Sequence, residues 1–286
     1  MDIDDLRGNF NYAMHGCGAY KGILHSNSIE AYNHWRKRIR IFEADVVETA
    51  DGEFVLFASH GISDNDLYRL EIYHPVSKLY RTKKYLLNQK LFTKSSTGMK
   101  AMSLHFVLDE MRSNPDLIFI FDLFGLWNKT AHFAKYIREI IGDSHELLKR
   151  VILEVYYEKQ IIQIQDVDAA FNVMYCIKEK SLPYSNEMTL ERLKSMGVSI
   201  ISYPWNNIED FDDLRKYVES GFLIMSLSHT NWGSQKKKRL GVNINNVDIV
   251  YARTNLYIEL PSYFLGRVRW YIVKAFDRYI RKLFNQ

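Results

Sequence analysis

The sequence predicts an α/β protein folded as a (β/α)8 TIM barrel. Three observations carry this expectation. Apolar runs rich in β-branched and aromatic residues recur along the 286 residues, with helical patterns between most of them. The runs are nearly continuous in apolar residues, as strands covered on both faces should be. About eight such units in roughly 250 residues is the size of a barrel of this kind. An open doubly wound sheet is the rival. If it bound a nucleotide it would carry a Gly-rich turn after an early strand, and neither G-x-G-x-x-G nor G-x-x-x-x-G-K occurs.

In chain order, the first strand is expected in "NYAMHG" (11–16). The helix "NSIEAYNHWRKRI" follows, with Asn27 three residues before Glu30, the spacing of a capping box. The second strand, "IRIFEADVVE" (39–48), continues past Asp51-Gly52 into "EFVLFASH" (53–60). Residues 62–102 are too long and too polar for a simple connection and read as an insertion. The helix "LHFVLDEMRS" leads into "LIFIFDLF" (117–124), and "AHFAKYIREII" into "RVILEVYY" (150–157). Then come "FNVMYCI" (171–177), the helix "MTLERLKSMG", and "VSIISYPW" (198–205). The helix "IEDFDDLRKYVESG" precedes "FLIMSLSH" (222–229), and "VDIVYART" (247–254) ends the series. The helices show apolar spacing of three and four, and two of them stop on Gly197 and Gly221. The expected organisation is one barrel over residues 1–260, with the insertion at about 62–102, and a C-terminal basic amphipathic helix over 261–286.

Composition narrows the class. Apolar residues make up 47% and charged residues 25%, which suits a sizeable core. No window approaches the 18 or so apolar residues of a membrane span. The opening "MDIDDLRGNF" lacks a signal-peptide pattern. Cys17 and Cys176 are too few for a disulfide framework, so a cytoplasmic location is the default. The formal charge of +4 belongs to the tail, where six basic residues face only Asp277. The body is therefore not a basic nucleic-acid binder.

The chemistry starts from a puzzle in the second strand. Core strands rarely spend two carboxylates on one face, yet Glu43 and Asp45 share one. In a barrel, reactive groups gather at the C-terminal strand ends. His15 ends the first strand, His60 ends the extension of the second, and Asp122 lies near the end of the third. Three buried carboxylates converging there repel one another unless a cation offsets them. Oxygen ligands suit a hard divalent cation, Mg²⁺ or Ca²⁺. Two imidazoles beside it suit a general acid and a general base. Plainer roles exist for each residue alone. His15 would be a hydrogen-bonded scaffold residue, Glu43 or Asp45 an ion-pair partner of Arg38 or Arg40, and Asp122 a cap for the next helix.

The run "HGCGAYKGILHSNSIEAY…FEADVVETADGEFVLFASH" resembles the glycerophosphodiester phosphodiesterase family. His15-Gly16 matches its His-Arg-Gly opening, although Cys17 follows directly. Asn27-Ser28 with Ala31-Tyr32 is similar to its Glu-Asn-Thr helix signature, with Ser26 in place of the Glu. Glu43, Asp45, Thr49 and Asp51-Gly52 match its strand motif in order and spacing. "MSLHFVLDEMRS" is similar to its Thr-Leu-x-Glu-x-Leu helix. Asp122 stands where the family places a third metal-binding carboxylate, as the related spider-venom phospholipase D enzymes do with an aspartate. The resemblance is specific over roughly residues 11–125, and beyond that it rests on strand order.

Three positions depart from the pattern. The family's second His would fall at Ala58, so His60 lies one residue pair further along the strand. The Lys that follows the third carboxylate by two is Phe124 here, which leaves Lys178, after the fifth strand, as the candidate cation for the phosphate. The last-strand Thr-Asp is Tyr251-Ala252.

The resemblance implies a metal-dependent hydrolase of a glycerophosphodiester-type bond, with Glu43, Asp45 and Asp122 on the metal and His15 and His60 as catalysts. Its implied partner is a phosphodiester small molecule. Trimming or transfer on a phosphate-bearing surface polymer is a second reading. A weakened barrel that binds a phosphorylated ligand is a third. The tail segment 261–286 has an apolar stripe at spacings of three and four and a basic remainder, the pattern of peripheral membrane contact on anionic lipid. Packing on the barrel or on a second subunit is the competing role for it.

Overall fold

The computed structural model of the chain describes residues 6, 11–18, 20, 27–48, 52–56, 69–74, 79–84, 101–177, 188–204, 216–227 and 249–252. The strands in chain order are β1 (Asn11–Met14), β2 (Ile41–Glu48), β3 (Phe54–Leu56), β4 (Arg69–His74), β5 (Leu79–Lys84) and β6 (Met102–Ser103), followed by β7 (Ile118–Asp122), β8 (Val151–Val155), β9 (Asn172–Cys176), β10 (Ile200–Pro204), β11 (Leu223–Leu227) and β12 (Ile249–Ala252). The described helices are α1 (Ile29–Trp35), α2 (Leu104–Ser113), α3 (Thr130–Ile141), α4 (His145–Leu148), α5 (Glu158–Gln165) and α6 (Leu190–Ser195).

Eight of the strands form a closed parallel ring. β1 pairs with β2, and β2 with β7. The ring runs on through β8, β9, β10, β11 and β12, and β12 pairs with β1 again. This is the (β/α)8 barrel that the sequence predicts. Each of the nine apolar runs contains a strand.

Alternation along each strand separates two cores. Ile41, Ile120, Ile152, Met174, Ile200 and Met225 point inward and fill the barrel. Phe42, Phe119, Phe121, Leu153 and Ile224 point outward against the helices. Tyr32 of α1 packs edge-on to Phe42, which stacks on Phe119. Fully burying one such ring is worth ~1.5–3 kcal/mol, so this double layer supplies much of the stability.

At the strands' N-terminal end, the buried Arg150 guanidinium donates to the carbonyls of Met111, Asn114 and Leu117. It ties the end of α2 to the start of β8.

The first helix begins one residue later than the capping-box spacing predicts. The N-cap is Ser28, extended at φ −95°, whose Oγ accepts from the Ala31 amide. Asn27 instead adopts a left-handed φ of +49° and turns its side chain towards β2. Gly197 follows α6 at φ +67°, and Gly221 follows a short helical turn over 216–219 at φ +84°, conformations that glycine adopts without a Cβ penalty.

Within the 62–102 segment, β4 and β5 pair with each other in a separate two-stranded antiparallel sheet. β3 pairs with the far end of β2, and β6 with β3, both antiparallel. Residues 261–286, where the basic amphipathic helix is expected, lie outside the described residues. Among the described residues, no helix is long and apolar enough to cross a membrane.

Candidate metal and catalytic centre

The site is built by the inward positions of three adjacent strands. On β2, Ile41 faces the interior and Phe42 the helices, so Glu43 and Asp45 face inward as well. On β7 the inward series is Ile118, Ile120, Asp122. On β8 it is Ile152, Glu154. The register sets Asp45 beside Asp122 and Asp122 beside Glu154, with Glu43 one layer deeper, level with Ile120. All four carboxylates are buried, at 1% (Glu43), 8% (Asp45), 9% (Asp122) and 2% (Glu154) exposure. Glu43, Asp122 and Glu154 each place a carboxylate oxygen within 4.8 Å of the others.

Burial and mutual repulsion shape this cluster. Glu43 is held well above the ordinary carboxylate range, first by desolvation and then by the charges of Asp45, Asp122 and Glu154. The Gly16 amide, donating to Glu43 Oε2 at 2.7 Å, opposes that shift. Asp122 is raised likewise, by desolvation, then Glu154 and Asp45. Its Oδ1 accepts from the Phe124 amide at 2.7 Å and its Oδ2 from the Tyr156 hydroxyl at 2.9 Å. Asp122 therefore caps the turn after its strand, the plainer role open to it, and also joins the cluster. The plainer role for the β2 carboxylates is not filled by Arg40, which pairs with Asp116 at 2.8 Å.

His15 follows β1 directly, on a tight turn over His15–Cys17. Gly16, Cys17 and Gly18 all take positive φ, at 56°, 55° and 88°. A Cβ at Gly18 would lie 2.7 Å from the Met14 side chain and the Trp35 ring, so the turn fits only glycine there. The turn brings His15 Nε2 to 3.6 Å from Glu43 Oε2. Asn27 completes this wall. Its amide nitrogen donates to Gly16 O at 3.0 Å, and its side-chain Nδ2 donates to Asp45 Oδ2 at 2.9 Å.

The structure thus gathers His15, Glu43, Asp45 and Asp122 at one end of the barrel. His60 and Lys178 lie outside the described residues. Sequence reasoning did not single out Glu154, Tyr156 or the Asp45-binding side chain of Asn27. Glu154 carries the same signal as Asp122, a lone acid in phase with the inward residues of an apolar strand, in "VILEV". The neighbouring wall is aromatic. Phe124, 45% exposed, meets Tyr156 edge-on at 5.1 Å.

The donor set fits a hard divalent cation. It consists of carboxylate oxygens, and Glu43 Oε1 is buried with no hydrogen bond among the described residues. An acceptor in that state is costly unless a donor or a cation meets it.

No protein-family model matches the chain, and no curated protein matches it either. Solved structures do. One is a Silicibacter pomeroyi protein assigned as a glycerophosphoryl diester phosphodiesterase, at 12% identity and TM-score 0.65, covering 93% of this chain and 98% of that one. An Oleispira antarctica phosphodiesterase in complex with the product sn-glycerol-3-phosphate is similar at 11% identity and TM-score 0.60, over 87% and 95% of the two chains. A glycerophosphodiester phosphodiesterase from Parabacteroides distasonis is similar at 16% identity and TM-score 0.58, over 92% and 99%. The chain has the (β/α)8 fold of the glycerophosphodiester phosphodiesterases.

Proposed function

We propose that the protein is a metal-dependent phosphodiesterase acting on a glycerophosphodiester-type bond. The observation that carries this reading is the buried set of carboxylates at adjacent strand ends, with the His15 imidazole 3.6 Å from Glu43. The shared fold supports the substrate class.

Glu43, Asp45 and Asp122 would hold the cation, Mg²⁺ or Ca²⁺. When bound, it supplies positive charge to a non-bridging phosphate oxygen. His15, oriented by its turn against Glu43, holds or accepts a proton at Nε2 on the edge of the site. His15 and His60 divide the acid and base roles, one taking a proton from the attacking water and the other giving one to the departing alkoxide. Such assistance is typically worth ~10²–10⁴-fold in rate. Lys178 is the proposed partner of the phosphate, since Phe124 occupies the place of the family's lysine.

A panel of glycerophosphodiesters assayed with Mg²⁺, Ca²⁺ or chelator tests the reading. Metal-dependent release of sn-glycerol-3-phosphate and the free alcohol is expected. Absence of turnover across the panel with both cations would remove it.

A further inference from the structure

We propose that the acidic centre takes two divalent cations and that the set Glu43, Asp45 and Asp122 is divided between them, one cation bound by Glu154 with Glu43 and Asp122, the other on the Asp45 side beside Asn27. The inference deepens the phosphodiesterase reading and rests on it.

The first argument is span. Asp45, Asp122 and Glu154 sit on three adjacent strands, so the outer two backbones are about 10 Å apart at a strand spacing of about 4.8 Å. The oxygen shell of one Mg²⁺ or Ca²⁺ is only about 4–5 Å across. The longer side chains close part of that distance. Glu43 and Glu154 converge with Asp122 to within 4.8 Å, the size of a single shell. Asp45 stands outside that group, its Oδ2 held by Asn27 Nδ2.

The second argument comes from two of the buried oxygens of the site. Glu43 Oε1 and Asn27 Oδ1 make no hydrogen bond among the described residues. An amide oxygen can only accept, and so does a carboxylate oxygen once ionised, so a cation suits each of them. They belong to different parts of the site. Glu43 is in the group with Glu154, and Asn27 Oδ1 is on the amide that grips Asp45.

The third argument is charge. Were all four carboxylates ionised they would carry −4, and one divalent cation would leave −2 facing an anionic phosphodiester. Two cations bring the centre to neutrality. Carboxylates that bridge are common between paired cations, which lie about 3.5–4 Å apart. Asp122, between Asp45 and Glu154 in the register, is placed to bridge.

The test is a titration of the metal-free full chain with Mn²⁺, read by stoichiometry and by electron paramagnetic resonance. Two Mn²⁺ per chain with a spin-coupled spectrum are expected. Glu154→Gln and Asp45→Asn are each expected to keep one Mn²⁺ with an isolated six-line signal, far-ultraviolet circular dichroism confirming the fold. A single, isolated Mn²⁺ in the unaltered chain overturns the proposal even if a variant fails to fold. Two Mn²⁺ that survive both substitutions overturn it as well. One Mn²⁺ with phosphodiester turnover removes only the second cation. No bound Mn²⁺ removes the metal-dependent reading too.

Discussion

His15 and Glu43 act on each other across 3.6 Å, but substitution of each has a different expected result. His15→Ala takes away a proton carrier and leaves the carboxylates in place. Its kcat is expected to fall ~10²–10⁴-fold, with divalent-cation affinity unchanged by calorimetry. Loss of cation binding would make His15 a ligand instead. Glu43 governs stability. Its raised value in the folded state means that ionising it opposes folding. Stability is fully present below the unfolded glutamate value of about 4.3 and is lost as pH rises through the raised folded value. In chelator, Glu43→Gln should therefore melt above the unaltered protein at pH 8, with the advantage shrinking as pH falls towards 4. A constant difference across pH would show that the repulsion is not what Glu43 contributes. With the cation present, the order at pH 8 should reverse.

At the scale of elements, the β8 strand joins two ends of the barrel with different duties. Arg150 at its start accounts for three carbonyls around α2, and Glu154 near its end belongs to the acidic centre. Arg150→Ala leaves those carbonyls without their charged donor, a loss of roughly 3 kcal/mol. A lowered melting temperature with unchanged kcat/KM is expected, and equal melting would mean water replaces the guanidinium at no cost. The strands were legible because strands buried on both faces leave nearly unbroken apolar runs. In "LIFIFDLF" the acid stands out against them, which marks Asp122. Glu154 in "VILEVYY" is equally visible, but no motif points to it. The start of α1 differs by one residue from the capping-box expectation because Asn27 and Ser28 are both good caps, and only tertiary contact with Asp45 decides which one turns away. The pairing of β3 with β6 is set by contacts distant in sequence, which local patterning does not encode.

At the scale of the molecule, the eight-stranded ring depends on one late event. β1 borders β2 on one side and β12 on the other. The acidic centre is complete in sequence by Glu154, whereas the strand that closes the ring begins at Ile249. At about 5–20 residues per second of synthesis, the ribosome takes on the order of 5–20 s to make the intervening chain. During that interval β1 keeps an open edge, and such edges recruit other strands. Stalled nascent chains ending before 249 should be cut readily by protease, and chains released past 252 should resist it. Equal resistance in both would mean that seven strands already form a stable sheet. The carboxylates exist throughout this period, so divalent cations can meet them before the barrel is shut. If the proposed cation binds them, its supply in the cell would bear on how much protein escapes aggregation while it is being made, as well as on what the finished barrel does.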